Sequence, residues 1–207
     1  MAKLAPRWRM IASVALMLCN IVLLSPMAYS QDAAKPQKDQ LKQDIARTPK
    51  LMFFGGGGDQ PHADNQTNAG FGFDWQWGHF PRSMNRYFHF GVSVTHLSSD
   101  TADNDHLVAL SIYPQLTLYA DPKPFGVPFF FVRALGPTYI SEKQLGEREQ
   151  GEHFCFLAQV GAGLSIKLQG EKRLTLALSN RHFSNAGWFD PNDGIDLPLV
   201  LTIGFDL

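Results

Sequence analysis

The chain has 207 residues, with 18 Lys plus Arg against 19 Asp plus Glu and a formal net charge of −1. That balance excludes the basic surface that nucleic-acid binding requires. The length allows one domain, and the abundance of Phe (16) and Gly (18) favours strands over helices.

Lys3, Arg7 and Arg9 form a basic start, Met10 to Leu24 an apolar stretch, and Ala28-Tyr29-Ser30 a small-x-small site. Together they predict a cleaved secretory signal over residues 1–30. Removing it leaves Cys155 as the lone cysteine and the remainder more acidic, so no intramolecular disulfide is expected. Residues 31–50 are polar and read as a flexible lead-in, with a helical turn around Gln40 to Ala46.

From residue 51 to 207 the pattern is one of alternating segments divided by turn signals. Leu51 to Gly57 is a short, Gly-rich strand; Gly55 to Gly58 lacks the Lys and Ser/Thr of a phosphate loop and reads as backbone. Phe71 to Trp77 sets Phe71, Phe73, Trp75 and Trp77 against Gly72, Asp74 and Gln76. Tyr87 to Thr95 sets Phe88, Phe90, Val92 and Val94 against Tyr87, His89, Ser93 and Thr95. His106 to Tyr119 sets Val108, Leu110, Ile112, Leu116 and Leu118 against Ser111, Tyr113, Gln115 and Thr117. Val127 to Ile140 alternates less cleanly, with Arg133 expected inside. Phe154 to Leu168 and Arg173 to Ser184 alternate well. Leu197 to Leu207 puts Leu197, Leu199, Leu201, Ile203, Phe205 and Leu207 on one face.

Eight such strands predict an all-β fold, an eight-stranded antiparallel transmembrane β-barrel with apolar faces toward lipid and a polar internal network. A soluble barrel would turn its polar face outward, and faces made mainly of Gly and Ser suit water poorly. With an even strand number both termini lie at one end. Gln60 to Asn68, Ser98 to Asp105, Ser141 to Gly151 and Asn185 to Asp196 then form the long outer loops. His79 to Asn85, Asp121 to Gly126 and Gln169 to Lys172 form the short inner turns. Trp75, Trp77 and Tyr87 read as an interfacial aromatic belt. His79, His89 and His96 have no ligand spacing, and Asp190, Asp193 and Asp196 do not have the spacing of a calcium loop, so no metal is expected.

Chemistry concentrates in Arg181-His182-Phe183-Ser184-Asn185. In the strand before it, Leu174, Leu176 and Leu178 oppose Thr175, Ala177 and Ser179. Continued parity puts His182 and Ser184 on the leucine face and Arg181 on the small, polar one. A serine beside a histidine becomes a nucleophile when an acid orients the imidazole. The nearby acids are Asp190, Asp193 and Asp196, and Asn185 and Asn192 could donate to an oxyanion. By pattern alone, an interfacial polar rim on a non-catalytic structural or lipid-binding barrel accounts for the same residues.

The segment His182-Phe183-Ser184-Asn185-Ala186-Gly187, followed by Pro191-Asn192-Asp193-Gly194-Ile195-Asp196, resembles the signature of the outer-membrane lipid A 3-O-deacylases (PagL type). Pro128-Phe129 and Val160-Gly161-Ala162-Gly163-Leu164 look like that family's central strands. The resemblance implies a carboxylic ester hydrolase in the outer membrane of a Gram-negative bacterium. Its implied substrate is lipid A of lipopolysaccharide, cleaved at the ester of the 3-linked hydroxyacyl chain, with outer-membrane lipid as surroundings and no cofactor. It further implies His182 as general base, Ser184 as nucleophile, Asp196 as orienting acid, and Asn185 and Asn192 in oxyanion or loop-shaping roles. The family has Glu where this chain has Asp196, one methylene shorter. On an unbroken strand Asp196 would face inward, opposite to Leu197 and away from His182, unless Gly194 and Pro198 bend the strand start. Self-association is left open by the sequence.

Overall fold

The computed structural model describes residues 35–83 and 86–207; the expected signal segment lies outside them. Helix α1 (Lys35–Arg47) precedes β1 (Lys50–Asp59), β2 (Thr67–Ser83), β3 (Arg86–Ser99), β4 (His106–Tyr119) and β5 (Val127–Ile140). A small hairpin, β6 (Gln144–Leu145) and β7 (Arg148–Glu149), interrupts the next connection. β8 (Phe154–Lys167), β9 (Arg173–Ser184) and β10 (Ile195–Asp206) complete the chain. The eight long strands form one closed antiparallel barrel in the order β1-β10-β9-β8-β5-β4-β3-β2. Closure pairs Lys50 with Asp206 across β1 and β10 and leaves no free edge.

The strands are longer than the alternation alone predicts. β2 continues past Trp77 to Ser83, so the turn expected at His79 to Asn85 shrinks as the ladder with β3 extends. The polar lead-in carries a 13-residue helix where the sequence pointed to a single turn. Its apolar residues explain why it holds: Ile45 and Ala46 are buried against Tyr87, Tyr119 and Val127. Lys42 donates to Asp121 at 2.9 Å in the β4–β5 turn, and that ammonium holds the Asp121 carboxyl below its ordinary value. The helix therefore closes the short-turn end of the barrel. Tyr87, expected in the aromatic belt, is wholly buried under this helix and packs edge-on against Tyr119. Trp75 and Trp77 do face outward, 5.2 Å apart.

The outward faces match the predicted parity. Phe71, Phe73, Leu110, Ile112, Leu178, Leu201 and Ile203 are all exposed, a wall of large apolar side chains that only lipid makes favourable. The interior has three layers. Under the helix lies the aromatic cluster already described. At mid-height Asp74 sits between Arg133 at 2.7 Å and Arg181 at 3.1 Å, all three buried. Gln115 and Gln159 accept from Arg133, Ser93 and Thr95 from Arg181. The rings of Tyr113 and Phe54 cover the two guanidinium planes, each at 3.7 Å. Toward the long loops the polar network gives way to an apolar plug that includes Phe54, Leu97, Leu107, Leu157, Phe183 and Leu197. This plug supports the loop end from within.

The last strand departs from its predicted parity. Leu197 pairs with Arg181, but the next pair is Val200 with Ser179, so β10 carries one extra residue there. Pro198, which cannot donate to a ladder, lies in the bulge with Leu199. Leu199, Leu201, Ile203 and Phe205 face outward as expected, whereas Leu197 is fully buried in the plug. Two glycines of β1 lie too close to neighbouring backbone for a side chain, one against the bulge and one against β2. A Cβ at Gly56 would sit 2.0 Å from the Leu199 carbonyl oxygen, and one at Gly57 would sit 2.3 Å from that of Asn68.

Candidate functional site at the outer rim of strands 9 and 10

β9 places its two faces as read from the sequence. Arg181 and Phe183 are wholly buried inside, while His182 and Ser184 lie on the outer face, each partly covered. Both sit at the long-loop end of the barrel.

The bulge decides where Asp196 goes. Reversing the strand's parity between residues 197 and 200 turns Ile195 and Leu197 inward and Asp196 outward, opposite His182 in the ladder. The inward orientation expected of an unbroken strand is thus corrected by one inserted residue. His182 Nδ1–H donates to Asp196 Oδ1 at 2.8 Å. The side chains are 34% and 23% exposed, so this pair stands half-sheltered at the barrel surface rather than free in solvent. An aspartate reaches the imidazole despite its missing methylene because the pairing sets the two backbones directly across from each other.

Gly194 is the second local requirement. Its φ of +73° lies in the left-handed region, and a Cβ there would fall 2.7 Å from His182 Cε1. The chain therefore turns into β10 tightly enough to back onto the imidazole.

Of the other acids, Asp193 stays in the loop and accepts from the Glu149 backbone N–H at 3.0 Å, and Asp190 is exposed. Asn185 is fully buried. Its Nδ2 donates to the carbonyls of Gln150, Phe189 and Pro191, and its Oδ1 accepts from Gly187 N–H. Asn192 Oδ1 accepts from the Asn185 backbone N–H at 2.9 Å. The amide of Asn185 is thus fully engaged in folding the β9–β10 loop. Among the described residues no hydrogen bond joins Ser184 to His182; the two share a face two residues apart. Beside Ser184, its ladder partner Phe156 packs on Trp188, with ring centroids 5.1 Å apart, and Phe154 adjoins them. Trp188 remains 66% exposed, so the serine borders an apolar, outward-facing platform.

Sequence reasoning missed the residues that hold the acid. Asp196 Oδ2 accepts from Gln60 Nε2 at 3.1 Å, and the Asp196 backbone carbonyl accepts from Asn68 Nδ2 at 3.0 Å. Both come from the start of the chain. No local pattern marks them; only barrel closure, which pairs β1 with β10, brings the β1–β2 connection to Asp196.

Fold and site define a transmembrane β-barrel with a histidine–carboxylate pair on its lipid-facing side at the loop end. The chain belongs to the lipid A 3-O-deacylase (PagL) family, whose model matches residues 67–203, from β2 into β10. Among solved structures, the crystal structure of the outer membrane enzyme PagL aligns with a TM-score of 0.56 at 19% identity, over 76% of this chain and 99% of that one. At that identity the likeness speaks for the fold. Comparison with curated proteins gives no match.

Proposed function

We propose that this protein is an outer-membrane esterase that removes the 3-linked hydroxyacyl chain of lipid A, with Ser184 as nucleophile, His182 as general base and Asp196 as the acid that orients it. The observation that carries the reading is the 2.8 Å hydrogen bond from His182 Nδ1 to Asp196, on the lipid-facing side and beside a serine of the same strand face. An ionised Asp196 accepts a hydrogen bond from Nδ1–H and so holds the tautomer whose Nε2 lone pair can take a proton from Ser184. The serine oxygen then adds to the ester carbonyl. The imidazolium so formed, steadied by Asp196, returns its proton to the departing sugar 3-oxygen. Water repeats the sequence on the acyl-serine and releases the 3-hydroxy fatty acid.

Placement supports the substrate class. The pair lies at the end with the longer loops, which in an outer membrane faces the lipopolysaccharide leaflet. An acyl chain can lie along the apolar platform of Phe154, Phe156 and Trp188 without leaving the bilayer. Asn185 and Asn192 act in this scheme by shaping the loop that ends at Gly194. The chemistry requires no metal or cofactor.

The test is mass spectrometry of lipid A from cells expressing the wild-type protein or Ser184→Ala. Loss of one 3-hydroxyacyl chain with the wild type alone is the expected result. Unchanged lipid A with folded wild-type protein in the outer membrane would overturn the esterase reading in favour of a non-catalytic barrel.

A further inference from the structure

Asp196 is held by two buried side-chain amides, Gln60 and Asn68. Gln60, 3% exposed, meets it at two points: Gln60 Oε1 accepts from the Asp196 backbone N–H at 2.9 Å, and Gln60 Nε2 donates to Asp196 Oδ2 at 3.1 Å. The backbone N–H can only donate, so it fixes which end of the Gln60 amide faces the carboxylate. Nε2 donates in addition to the Gly194 carbonyl at 3.5 Å and the Pro61 carbonyl at 3.2 Å, and these acceptors fix the same orientation.

The fixing continues outward. Asn68, fully buried, donates from Nδ2 to the Asp196 carbonyl and to Gln60 Oε1. Its Oδ1 accepts from Gln66 Nε2 at 2.7 Å, and Gln66 Oε1 accepts from the Glu147 N–H at 2.8 Å. Gln66 Nε2 also donates to the Leu145 carbonyl. Three buried side-chain amides are thus oriented in series by backbone groups of the β6–β7 hairpin and of β10. At their end, one N–H points at the oxygen of Asp196 that His182 does not use.

We infer that Gln60 is a positioning residue for the reaction: its amide clamps Asp196 by backbone and carboxylate together, so that this shorter acid presents Oδ1 to His182 Nδ1. The inference rests on the esterase reading for its consequence in rate. A carboxylate with one methylene fewer must gain its reach from the backbone and its direction from a partner on the second oxygen. The ladder pairing with His182 provides the reach, and Gln60 holds that backbone in place through the Asp196 N–H and supplies the direction through Oδ2. A donor at Oδ2 also keeps the site suited to an ionised rather than a protonated acid.

The experiment uses Gln60→Met, which keeps length and volume but neither hydrogen bond, in the full barrel in detergent micelles. Its readouts are deacylation kinetics on purified lipid A and the downfield proton resonance of the hydrogen-bonded His182 Nδ1–H, with Ser184→Ala as the inactive reference. A roughly 10–100-fold fall in kcat with KM within about twofold is expected, since full loss of an orienting acid costs up to about 10⁴-fold. The Nδ1–H resonance is expected to broaden or vanish. Adding Asp196→Glu, whose longer side chain reaches His182 without the clamp, should recover most of the lost kcat. Unchanged kcat, or a sharp resonance in Gln60→Met, overturns the inference. So does a loss that Asp196→Glu fails to recover, because that marks a general structural role. An inactive wild type that still shows a Gln60-dependent Nδ1–H resonance keeps the clamp and refutes the esterase reading instead, so the two failures are distinguishable.

Discussion

Replacing Asp196 by Asn tests the arrangement sharply, because the two residues differ by one oxygen for one NH₂. Asp196 Oδ1 accepts from His182 Nδ1–H and Oδ2 accepts from Gln60 Nε2–H, so the wild-type acid faces two donors. An asparagine has one acceptor and one donor to meet them. If its NH₂ faces Gln60, two donors oppose each other in a half-buried place; Gln60 cannot turn over, because its Oε1 is held by the residue-196 backbone N–H. Leaving such a group unsatisfied costs about 1–3 kcal/mol. The asparagine therefore turns its oxygen to Gln60 and its NH₂ to His182. The imidazole must then accept at Nδ1 and carry its proton on Nε2, where it can no longer take a proton from Ser184. A preference of about 1–3 kcal/mol leaves roughly one molecule in six to one in 160 with the useful tautomer. The lost negative charge beside the imidazolium lowers the rate further, so kcat should fall by about 10³–10⁴-fold, or about 4–5.5 kcal/mol. The assay is release of 3-hydroxy fatty acid from lipid A in mixed micelles, measured by mass spectrometry over a single turnover. A fall of less than about tenfold would refute the reasoning, since it would mean that neither the tautomer nor the charge of residue 196 matters.

Two further outcomes concern the barrel. Asp74→Ala strips the shared carboxylate from two buried guanidinium groups, which keep only neutral partners in Gln115, Gln159, Ser93 and Thr95. It should lower stability by about 3–5 kcal/mol, seen as an earlier urea midpoint by tryptophan fluorescence in lipid vesicles; a loss below about 1 kcal/mol would show that the neutral partners suffice. Leu201→Arg puts a charge on the outward face near the middle of β10, where Leu201 pairs with Leu178 and Gly55. It should cost about 2–4 kcal/mol in the same assay, and a neutral result would mean that this face does not meet lipid.

The period-two pattern of apolar residues determined the barrel strand by strand. Each strand's side-chain direction is a property of its own backbone, so alternation in Phe71 to Trp77 or His106 to Tyr119 was legible without knowing any partner. The same local rule put His182 and Ser184 on the outer face and Arg181 inside; residue type alone left Asp190, Asp193 and Asp196 as equal acid candidates, and the family resemblance singled out Asp196. The direction of Asp196 was not legible, because it depends on one residue more in β10 than in β9 between two ladder pairs, and register belongs to the pair of strands. Pro198 and Gly194 hinted at a bend, but which way it turned the carboxylate was settled by pairing. Parity put Tyr87 on the inner face, as observed, but its reading as part of the aromatic belt failed because a helix outside the strand pattern covers that end of the barrel. Gln60 and Asn68 carry no signal of their own, since a buried amide looks like any loop amide until something fixes its partners. They stand 136 and 128 residues from Asp196 in the chain. Only the closing pair of β1 with β10 makes them neighbours, and contacts made by closure are set by the whole barrel rather than by any stretch of its sequence.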